Sequence, residues 1–397
     1  MSANHPTEEE LRRLLLADET LSDALETHLN ECADCRERLD HLSGATEFSA
    51  AFEPESLGPD RLASMVLAPS DTPGVLGKLG RYEVDEWIAT GGMSTVWRGR
   101  DPDRDQVVAI KVMHPMLAAQ PAARSRFIRE AGAGMALCHS AILPVLDLNE
   151  EHDPPFFVMQ FAGGGSLQQR LSHHPLAFDE TLRIAKALTG ALVAAHEAGV
   201  IHRDIKPANI LFADSGEVML ADFGIARALE QETMLTQTGS FLGTPQYMSP
   251  EQAAGDNQVD ERSDLFSLGA VLHQMCTGRP AFEGETFKSL SQQVQEEVPP
   301  LFPDPSPTPP WLQHLVMRLL AKRPDDRPAS AKEVLLVLSN EHDLGLPETL
   351  QLAGGQVRRR MLIRRYLGRA AVLAAVALTA LGWAERAGHT SLVNHLL

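Results

Sequence analysis

Four short motifs rich in charged residues follow one another in a fixed order in the middle of the chain. They are Val108-Ala109-Ile110-Lys111, His202-Arg203-Asp204-Ile205-Lys206-Pro207-Ala208-Asn209, Asp222-Phe223-Gly224 and Ser249-Pro250-Glu251. The first motif places an ammonium group in an apolar strand, where it is costly unless a carboxylate or phosphate lies beside it. Glu130, in the helical-looking segment Arg126-Phe127-Ile128-Arg129-Glu130, is the natural partner of Lys111. The motifs therefore predict a charged site assembled from distant parts of the chain.

A glycine-containing segment precedes the first motif and lies between two predicted strands. Its sequence is Ile88-Ala89-Thr90-Gly91-Gly92-Met93-Ser94-Thr95-Val96. Glycines let backbone N–H groups approach a phosphate without interference from a Cβ atom. Alone, the segment is explained better as a glycine-containing hairpin turn. With the motifs that follow, it indicates a phosphate-binding loop.

The chain of 397 residues divides into several parts, and 44% hydrophobic residues are enough for a folded core. Residues 1–43 carry leucines at helical spacing and predict a small helical module. Residues 44–80 are rich in proline, glycine, serine and alanine and predict a flexible linker. Residues 81–340 begin with short strand-like runs (82–88, 107–113 and 156–161) and then become mostly helical. Seven prolines from Pro299 to Pro310 predict a loop within the helical part. This order predicts a small sheet-rich lobe followed by a larger helical lobe.

Residues 81–340 resemble the Hanks-type (eukaryotic-like) serine/threonine protein kinases of bacteria, because all the motifs occur in that family's order and spacing. The resemblance implies an α+β fold with two lobes, a β-rich N-lobe and a helical C-lobe. It also implies an enzyme that transfers the γ-phosphate of ATP to serine or threonine hydroxyls of protein substrates.

The resemblance gives each motif residue a role in phosphoryl transfer. Asp204 would orient the substrate hydroxyl and accept its proton, while Asn209 and Asp222 would hold Mg²⁺ or Mn²⁺. Lys206 would contact the γ-phosphate and favours a serine/threonine acceptor. Lys111, paired with Glu130, would clamp the α- and β-phosphates. The nucleotide-binding residues implied are Ile88, Ala89, Gly91, Gly92, Met93, Ser94, Val96, Lys111 and Met159.

Ala89 departs from the family pattern, because it stands where the first glycine of the loop is expected. We expect its methyl group to lower nucleotide affinity without abolishing activity. Three further matches imply structural roles. Asp264 resembles the buried aspartate that braces the catalytic loop, and Arg327 resembles the arginine that pairs with Glu251.

Regulation is implied by Arg203, which in the family belongs to a basic pocket for a phosphorylated residue of the activation loop. Thr236 and Thr238 resemble the autophosphorylated pair of bacterial relatives, and Thr244 would shape the substrate site beside Asp204. The alternative for Thr236 and Thr238 is an ordinary solvated polar loop.

The N-terminal module carries the pattern His28-x-x-x-Cys32-x-x-Cys35. Spacings of four and three place these side chains on one helical face, where they can converge on Zn²⁺. The pattern resembles the zinc-binding anti-sigma fold; His5 is the favoured fourth ligand and His41 the alternative. A redox pair, or cysteines without a ligand, would also explain the pattern. The remaining cysteines, Cys138 and Cys276, are interpreted as core or near-core thiols.

A net charge of −18 disfavours nucleic acid as a partner. Protein substrates are the implied partners, and the sequence leaves open a homodimer and a regulatory protein at the zinc module. The alternative function is a partner-binding anti-sigma-like regulator in which the kinase domain is a weak or inactive scaffold.

Residues 341–369 form a basic segment, followed by an uncharged apolar run over residues 370–384 and a short tail over residues 385–397. The run is shorter than the roughly 20 residues that usually span a bilayer. However, the arginines before it and Trp383 at its far end predict a single membrane-spanning helix. Residues 1–20 lack the features of a secretory signal. We therefore expect an inner-membrane protein with a cytoplasmic N-terminus and kinase domain; the alternatives are a basic amphipathic surface anchor and a cytoplasmic protein.

Overall fold

A computed structural model describes residues 58–171, 174–223, 245–256, 259–284 and 286–340. These residues form a sheet-rich first lobe and a helical second lobe, which confirms the predicted two-lobed architecture. The first lobe consists of α1 (Pro59–Val66), β1 (Gly77–Leu79), β2 (Tyr82–Thr90), β3 (Ser94–Asp101), β4 (Gln106–Met113), α2 (Pro115–Ala118), α3 (Pro121–Ala136), β5 (Val145–Asn149) and β6 (Phe156–Gln160).

The second lobe is helical except for one short hairpin. It consists of α4 (Leu167–Arg170), α5 (Phe178–Glu197), β7 (Ile210–Phe212), β8 (Val218–Leu220), α6 (Pro250–Ala253), α7 (Glu261–Thr277), α8 (Phe287–Glu296), α9 (Pro310–Leu319) and α10 (Ala331–Ser339). Short 3₁₀ turns lie at Pro207–Asn209, Pro245–Tyr247 and Pro324–Asp326.

The first-lobe sheet has the strand order β1-β2-β3-β4-β6-β5, and all its pairs are antiparallel. Strand β4 lies inside the sheet and is buried from Val108 to Met113, because apolar clusters cover both of its faces. Successive side chains of a strand point to opposite faces. Ala109 and Met113 belong to the cluster that contains α3, whereas Val108, Ile110 and Val112 belong to the opposite cluster. Lys111 shares the face of Ala109 and is thereby directed toward α3.

Residues 58–80 differ from the predicted linker. They form α1 and β1, and Leu62 of α1 is 2% exposed in the cluster that also contains Tyr82, Val84 and Trp97. Strand β1 extends the sheet by pairing with β2. The physical reason is that the outer face of the sheet is apolar, and α1 covers it. The ordered lobe therefore begins well before Arg81.

Helix α7 forms the centre of the second lobe. Its residues from Ser263 to Cys276 are buried, as expected of a helix surrounded by other elements. Asp260 caps its first turn by accepting a hydrogen bond from the Arg262 backbone N–H. Gly278, with φ of 74°, ends it in a left-handed conformation that glycine adopts without steric cost.

The predicted proline-rich loop is present between α8 and α9. It ends at Pro309, because Pro310 occupies the first turn of α9, where the missing N–H of proline is tolerated. Cys276 is buried as predicted, and burial raises the pKa of its thiol to about 11. Cys138 is exposed, so the prediction of a near-core thiol is wrong there: it lies two residues after the end of α3, where Met135 and Ala136 are exposed as well.

In the part of the chain that the structure describes, no helix has both the length and the apolar character needed to cross a membrane. The predicted zinc module (1–43), the first part of the predicted linker and the segments 341–369, 370–384 and 385–397 lie outside the described residues.

Candidate active site

Lys111 lies between two carboxylates at the junction of the lobes. Its Nζ donates to Glu130 Oε1 at 2.6 Å and to Asp222 Oδ1 at 2.9 Å. Glu130 is on α3, and Asp222 follows β8 in the second lobe. The exposed fractions of the Lys111 and Glu130 side chains are 11% and 13%, whereas Asp222 is 38% exposed. The structure therefore brings the predicted Lys111–Glu130 pair together and adds Asp222 to it.

The positive charge of Lys111 and the negative charges of the two carboxylates offset the free-energy cost of burying these groups. Burial alone would lower the pKa of Lys111, but the carboxylates of Asp222 and Glu130 raise it above its ordinary value. For Asp222, burial acts to raise the pKa, and Lys111 outweighs it, so the pKa lies below the usual range. For Glu130, burial dominates over Lys111 and the pKa is raised. Lys111 thus stays protonated throughout the physiological range.

Asp204, Lys206 and Asn209 converge at the start of the second-lobe hairpin. Lys206 Nζ donates to Asp204 Oδ2 at 2.9 Å, and Asn209 Nδ2 donates to the Asp204 backbone oxygen at 2.8 Å and to Oδ2 at 3.1 Å. The 3₁₀ turn at Pro207–Asn209 brings Asn209 back toward Asp204. The Asp204 carboxylate is thereby held by two donors from its own loop.

Asp264 of α7 fixes the backbone of this loop. It is fully buried and accepts from the N–H groups of His202 and Arg203, each at 2.8 Å, and from His196 Nε2 of α5, also at 2.8 Å. Arg203 has a positive φ of 64°, a conformation that costs a non-glycine residue about 1–3 kcal/mol. Gln252 donates to the Arg203 backbone oxygen, so both backbone polar groups of Arg203 are hydrogen-bonded. The sequence-predicted brace at Asp264 therefore contacts the loop directly.

His202 connects the catalytic loop to the segment that carries Asp222. Its Nε2 donates to the Ala221 backbone oxygen at 3.0 Å, and its Nδ1 accepts from the Asp204 N–H at 3.2 Å. Burial lowers the pKa of His202, so its ring is neutral and carries its proton on Nε2. Asp222 itself has a φ of 57°. The buried ring of His202 thus links the backbone of Asp204 to that of Ala221, the residue before Asp222.

The glycine-rich loop, residues 91–93, joins β2 to β3. The Gly91 N–H donates to the Ser94 backbone oxygen at 2.8 Å and closes the turn. Ser94 is buried, whereas Ile88, at an irregularity of β2, and Ala89 are exposed. The sequence-predicted loop residues therefore form one hairpin tip, with Gly92 at its centre.

Apolar side chains line the region between this loop and the second lobe. Met93 and Val96 pack against a cluster that contains Ala109, Met159 and Met219. Met159, at the end of β6, was a sequence-predicted nucleotide contact. Ala109 and Met219 were not, since an apolar residue in an apolar strand gives no sign of which residues it packs against. The cluster therefore joins this loop to the second-lobe hairpin through Met219.

Glu251 and Arg327 form a buried pair away from the charged cluster. Arg327 Nη1 and Nη2 donate to the two carboxylate oxygens at 2.7 and 2.8 Å, and Ser263 also donates to Glu251. Burial acts to raise the pKa of Glu251, but Arg327 and Ser263 hold it below its usual value. This pair joins α6 to the segment before α10, as the resemblance implied.

The residues expected to hold Mg²⁺ have suitable chemistry. Asn209 uses its Nδ2 on Asp204, which leaves its Oδ1 as a hard oxygen ligand, and Asp222 supplies a partly exposed carboxylate. The Asn209 backbone oxygen accepts from the Ala221 N–H at 2.8 Å, which brings the two residues close together. The donor set therefore fits a magnesium ion.

Several sequence-predicted residues lie outside the described residues. These are Thr236, Thr238 and Thr244, together with His5, His28, Cys32, Cys35 and His41. Conversely, sequence reasoning missed His196 and Gln252, which hold the catalytic loop in place. Neither has a local signal, because each acts through a contact made only in the folded chain.

Comparisons with known proteins agree with this geometry. The family profile described as "Protein kinase domain" matches residues 82–336. A probable serine/threonine-protein kinase of Streptomyces coelicolor is 40% identical over 264 residues, 64% of this chain and 39% of the relative. Serine/threonine-protein kinase PknB of Mycolicibacterium smegmatis is 38% identical over 289 residues, 71% of this chain and 46% of the relative. Serine/threonine-protein kinase PknL of Mycobacterium tuberculosis is 39% identical over 253 residues, 63% of each chain. The chain therefore spans less than two thirds of the length of these relatives.

Proposed function

The chain belongs to the protein kinase domain family, and on that basis we propose that it transfers the γ-phosphate of ATP to serine and threonine hydroxyls of proteins. The observation that carries this proposal is the convergence of Asp204, Lys206 and Asn209. It places a carboxylate, an ammonium group and a metal-ligating amide in one loop, and Asp222 lies close by.

We propose a step for each of these groups. The Asp204 carboxylate orients the substrate hydroxyl and receives its proton as the oxygen attacks phosphorus. Lys206, bound to the same carboxylate, balances negative charge that develops on the transferred phosphoryl group. Lys111 holds the α- and β-phosphates in position. Bound Mg²⁺ supplies neutralisation of phosphate charge, and Asn209 and Asp222 would hold it.

Serine and threonine are the proposed acceptors for two reasons. Lys206 follows Asp204 by two residues, which matches the serine/threonine form of the catalytic loop. The relatives described above are also named as serine/threonine-protein kinases.

Labelled ATP and Mg²⁺ provide the test. We expect the full chain to incorporate label into itself or a generic protein substrate, with phosphoserine and phosphothreonine as the products. Asp204→Asn should reduce incorporation at least 100-fold, the magnitude typical of losing an essential catalytic group. Asp214→Asn, a control in the turn between β7 and β8, should leave incorporation unchanged. No label from the wild type would favour the inactive scaffold.

We propose that the enzyme autophosphorylates its activation loop at Thr236 and Thr238. The support is the family match together with Arg203, whose guanidinium can pair with phosphate oxygens. Phosphosite mapping of the wild type and of Asp204→Asn tests this proposal. Both sites should carry phosphate only in the wild type, and phosphate confined to other residues would contradict it.

We propose that residues 1–43 bind one zinc ion through His28, Cys32 and Cys35, with His5 as the fourth ligand. The support is the helical spacing of these residues in the sequence. A regulatory protein would bind at this module. Elemental analysis of the reduced full chain should find about one zinc per chain, and Cys32→Ser with Cys35→Ser should remove it. Absence of zinc from the wild type would favour a redox pair.

We propose that residues 370–384 attach the protein to the inner membrane as a single span, with the kinase domain in the cytoplasm. The support is the uncharged apolar run, the arginines that precede it and Trp383. A spanning protein should stay in the membrane pellet after alkaline carbonate, whereas a surface anchor should be released. Recovery of the full chain entirely in the cytosol would contradict both forms of attachment.

A further inference from the structure

His114 directly follows β4 and makes two hydrogen bonds to the glycine-rich loop. Its Nε2 bonds to the Gly91 backbone oxygen at 2.8 Å, and its backbone N–H donates to the Met93 backbone oxygen at 3.0 Å. The residue is 1% exposed, in contrast to the exposed Gly91. A buried side chain thus reaches an exposed loop from the strand that carries Lys111.

The direction of the side-chain bond follows from its acceptor. A carbonyl oxygen only accepts, so Nε2 must carry the proton. Burial lowers the pKa of His114, which keeps the ring in its neutral form. The Gly91 backbone oxygen therefore has the N–H group of His114 as a donor over the whole physiological pH range.

Steric contacts restrain Met93, which packs against an apolar cluster, but place little constraint on Gly91 itself. A Cβ placed on Gly91 would meet nothing closer than the Ser94 backbone oxygen at 3.8 Å. Two consecutive glycines also have more conformational freedom than any other pair. Gly91 is therefore held by hydrogen bonds, from its own N–H to the Ser94 backbone oxygen and from His114 to its backbone oxygen, and the bond from His114 comes from outside the β2–β3 hairpin.

The bonds from His114 connect two parts of the nucleotide site. Lys111 and His114 are three residues apart on one segment, and both ends of that segment are anchored, Lys111 on Glu130 and His114 on the loop. Movement of the loop relative to Lys111 requires the bond to Gly91 to break.

We propose that His114 is a positioning residue. It fixes the distance between the glycine-rich loop and Lys111, so that the backbone N–H groups of the loop meet the nucleotide phosphates. This inference rests on the proposed kinase function, because it assigns the loop to ATP. His114 does not touch the nucleotide and acts through Gly91.

Two variants separate the hydrogen bond from the volume of the ring. His114→Leu fills the buried space without a donor, and His114→Gln keeps an N–H group near the position of Nε2. Loss of one hydrogen bond corresponds to roughly a two- to tenfold change. We therefore expect His114→Leu to raise the KM for ATP about fivefold, with kcat within about twofold of wild type. His114→Gln should restore most of the affinity.

His273 provides a matched control. It is also 1% exposed and bonds through Nε2 to a backbone oxygen, that of Pro300, but it lies on α7 in the second lobe. His273→Leu should lower thermal stability and leave the KM for ATP unchanged. An equal rise in KM in both leucine variants would overturn the inference, because it would reflect general destabilisation.

Two readouts do not depend on catalysis. Without nucleotide, hydrogen exchange at residues 88–96 should be faster in His114→Leu than in wild type and in His273→Leu. The Kd for ADP should rise with the KM for ATP. Wild-type protein that binds ADP but transfers no phosphate would overturn the proposed function, and the Kd series would still decide the role of His114. Unchanged exchange and unchanged Kd in His114→Leu would overturn that role.

Discussion

At the scale of single residues, the site depends on one buried ammonium group shared by two carboxylates. Lys111 contacts Glu130 within its own lobe and Asp222 from the other lobe. Without it, burial would raise the pKa of Glu130 unopposed, and at Asp222 only Lys206 and His202 would still act against it. The residue therefore favours the ionised form of its neighbours, in addition to the phosphate contact proposed for it.

Lys111→Met tests whether the site needs this ammonium group. We expect kcat/KM for ATP to fall at least 100-fold, because a preorganised charge at the phosphates is lost, while far-ultraviolet circular dichroism stays unchanged. Lys78→Met, at a half-exposed lysine of β1 paired with Glu83, is the control and should retain activity. A Lys111→Met protein with near wild-type activity would contradict the assignment.

Residues with chemistry in a motif could be predicted, whereas residues that support them could not. Asp204, Asn209 and Asp222 occur at family spacing, so their roles follow from chain order. His114 is followed by proline at the end of an apolar strand and belongs to no motif. Its partner Gly91 lies in the preceding hairpin, and only the pairing of β3 with β4 brings the two together.

At the scale of elements, α1 is the main difference between sequence and structure. It has only eight residues, and its one fully buried side chain is Leu62. Such a helix gives almost no periodic signal, and prolines surround it in the sequence. It is stabilised by the apolar outer face of the sheet, which the local sequence does not reveal.

Leu62→Ala measures how much α1 contributes to the first lobe. We expect the free energy of unfolding to fall by about 2–4 kcal/mol, the usual cost of removing a buried leucine. Met65→Ala on the same helix, where the side chain is 39% exposed, should change it by less than about 0.5 kcal/mol. Urea unfolding measures both. Equal small effects would mean that α1 does not stabilise the sheet.

At the scale of the whole molecule, the two lobes could be predicted because strand-like and helical patterns occupy separate stretches of the chain. Only some of the contacts that stabilise the second lobe could be predicted from the sequence. Arg327 uses all five N–H groups: two on Glu251 and three on the backbone oxygens of Ala321, Arg262 and Lys322. The sequence predicted the ion pair and gave no sign of the three backbone bonds.

Arg327→Leu should lower the free energy of unfolding at pH 7 by about 3–5 kcal/mol, since it leaves Glu251 buried without its partner. The folded pKa of Glu251 is depressed, so its contribution is present above the usual glutamate pKa and is lost as pH falls through the folded value. The difference between wild type and variant should therefore shrink below about pH 4.

Lys332→Leu is the control for that experiment, because Lys332 and its partner Glu197 are 66% and 57% exposed. Water screens an exposed pair of this kind, so its loss should change the stability little. Urea unfolding at pH 7 and pH 4 checks both variants. A pH-independent difference for Arg327→Leu would mean that packing, rather than the ion pair, accounts for its effect.

The charged side chains of the described cleft bear on the form of nucleotide that the proposed function requires. Glu130, Asp204 and Asp222 face two ammonium groups, those of Lys111 and Lys206, which leaves an excess of one negative charge. Bare ATP is a polyanion and meets a site of its own sign. Under the proposed kinase function, this cleft would therefore favour nucleotide complexed with a divalent cation over uncomplexed nucleotide.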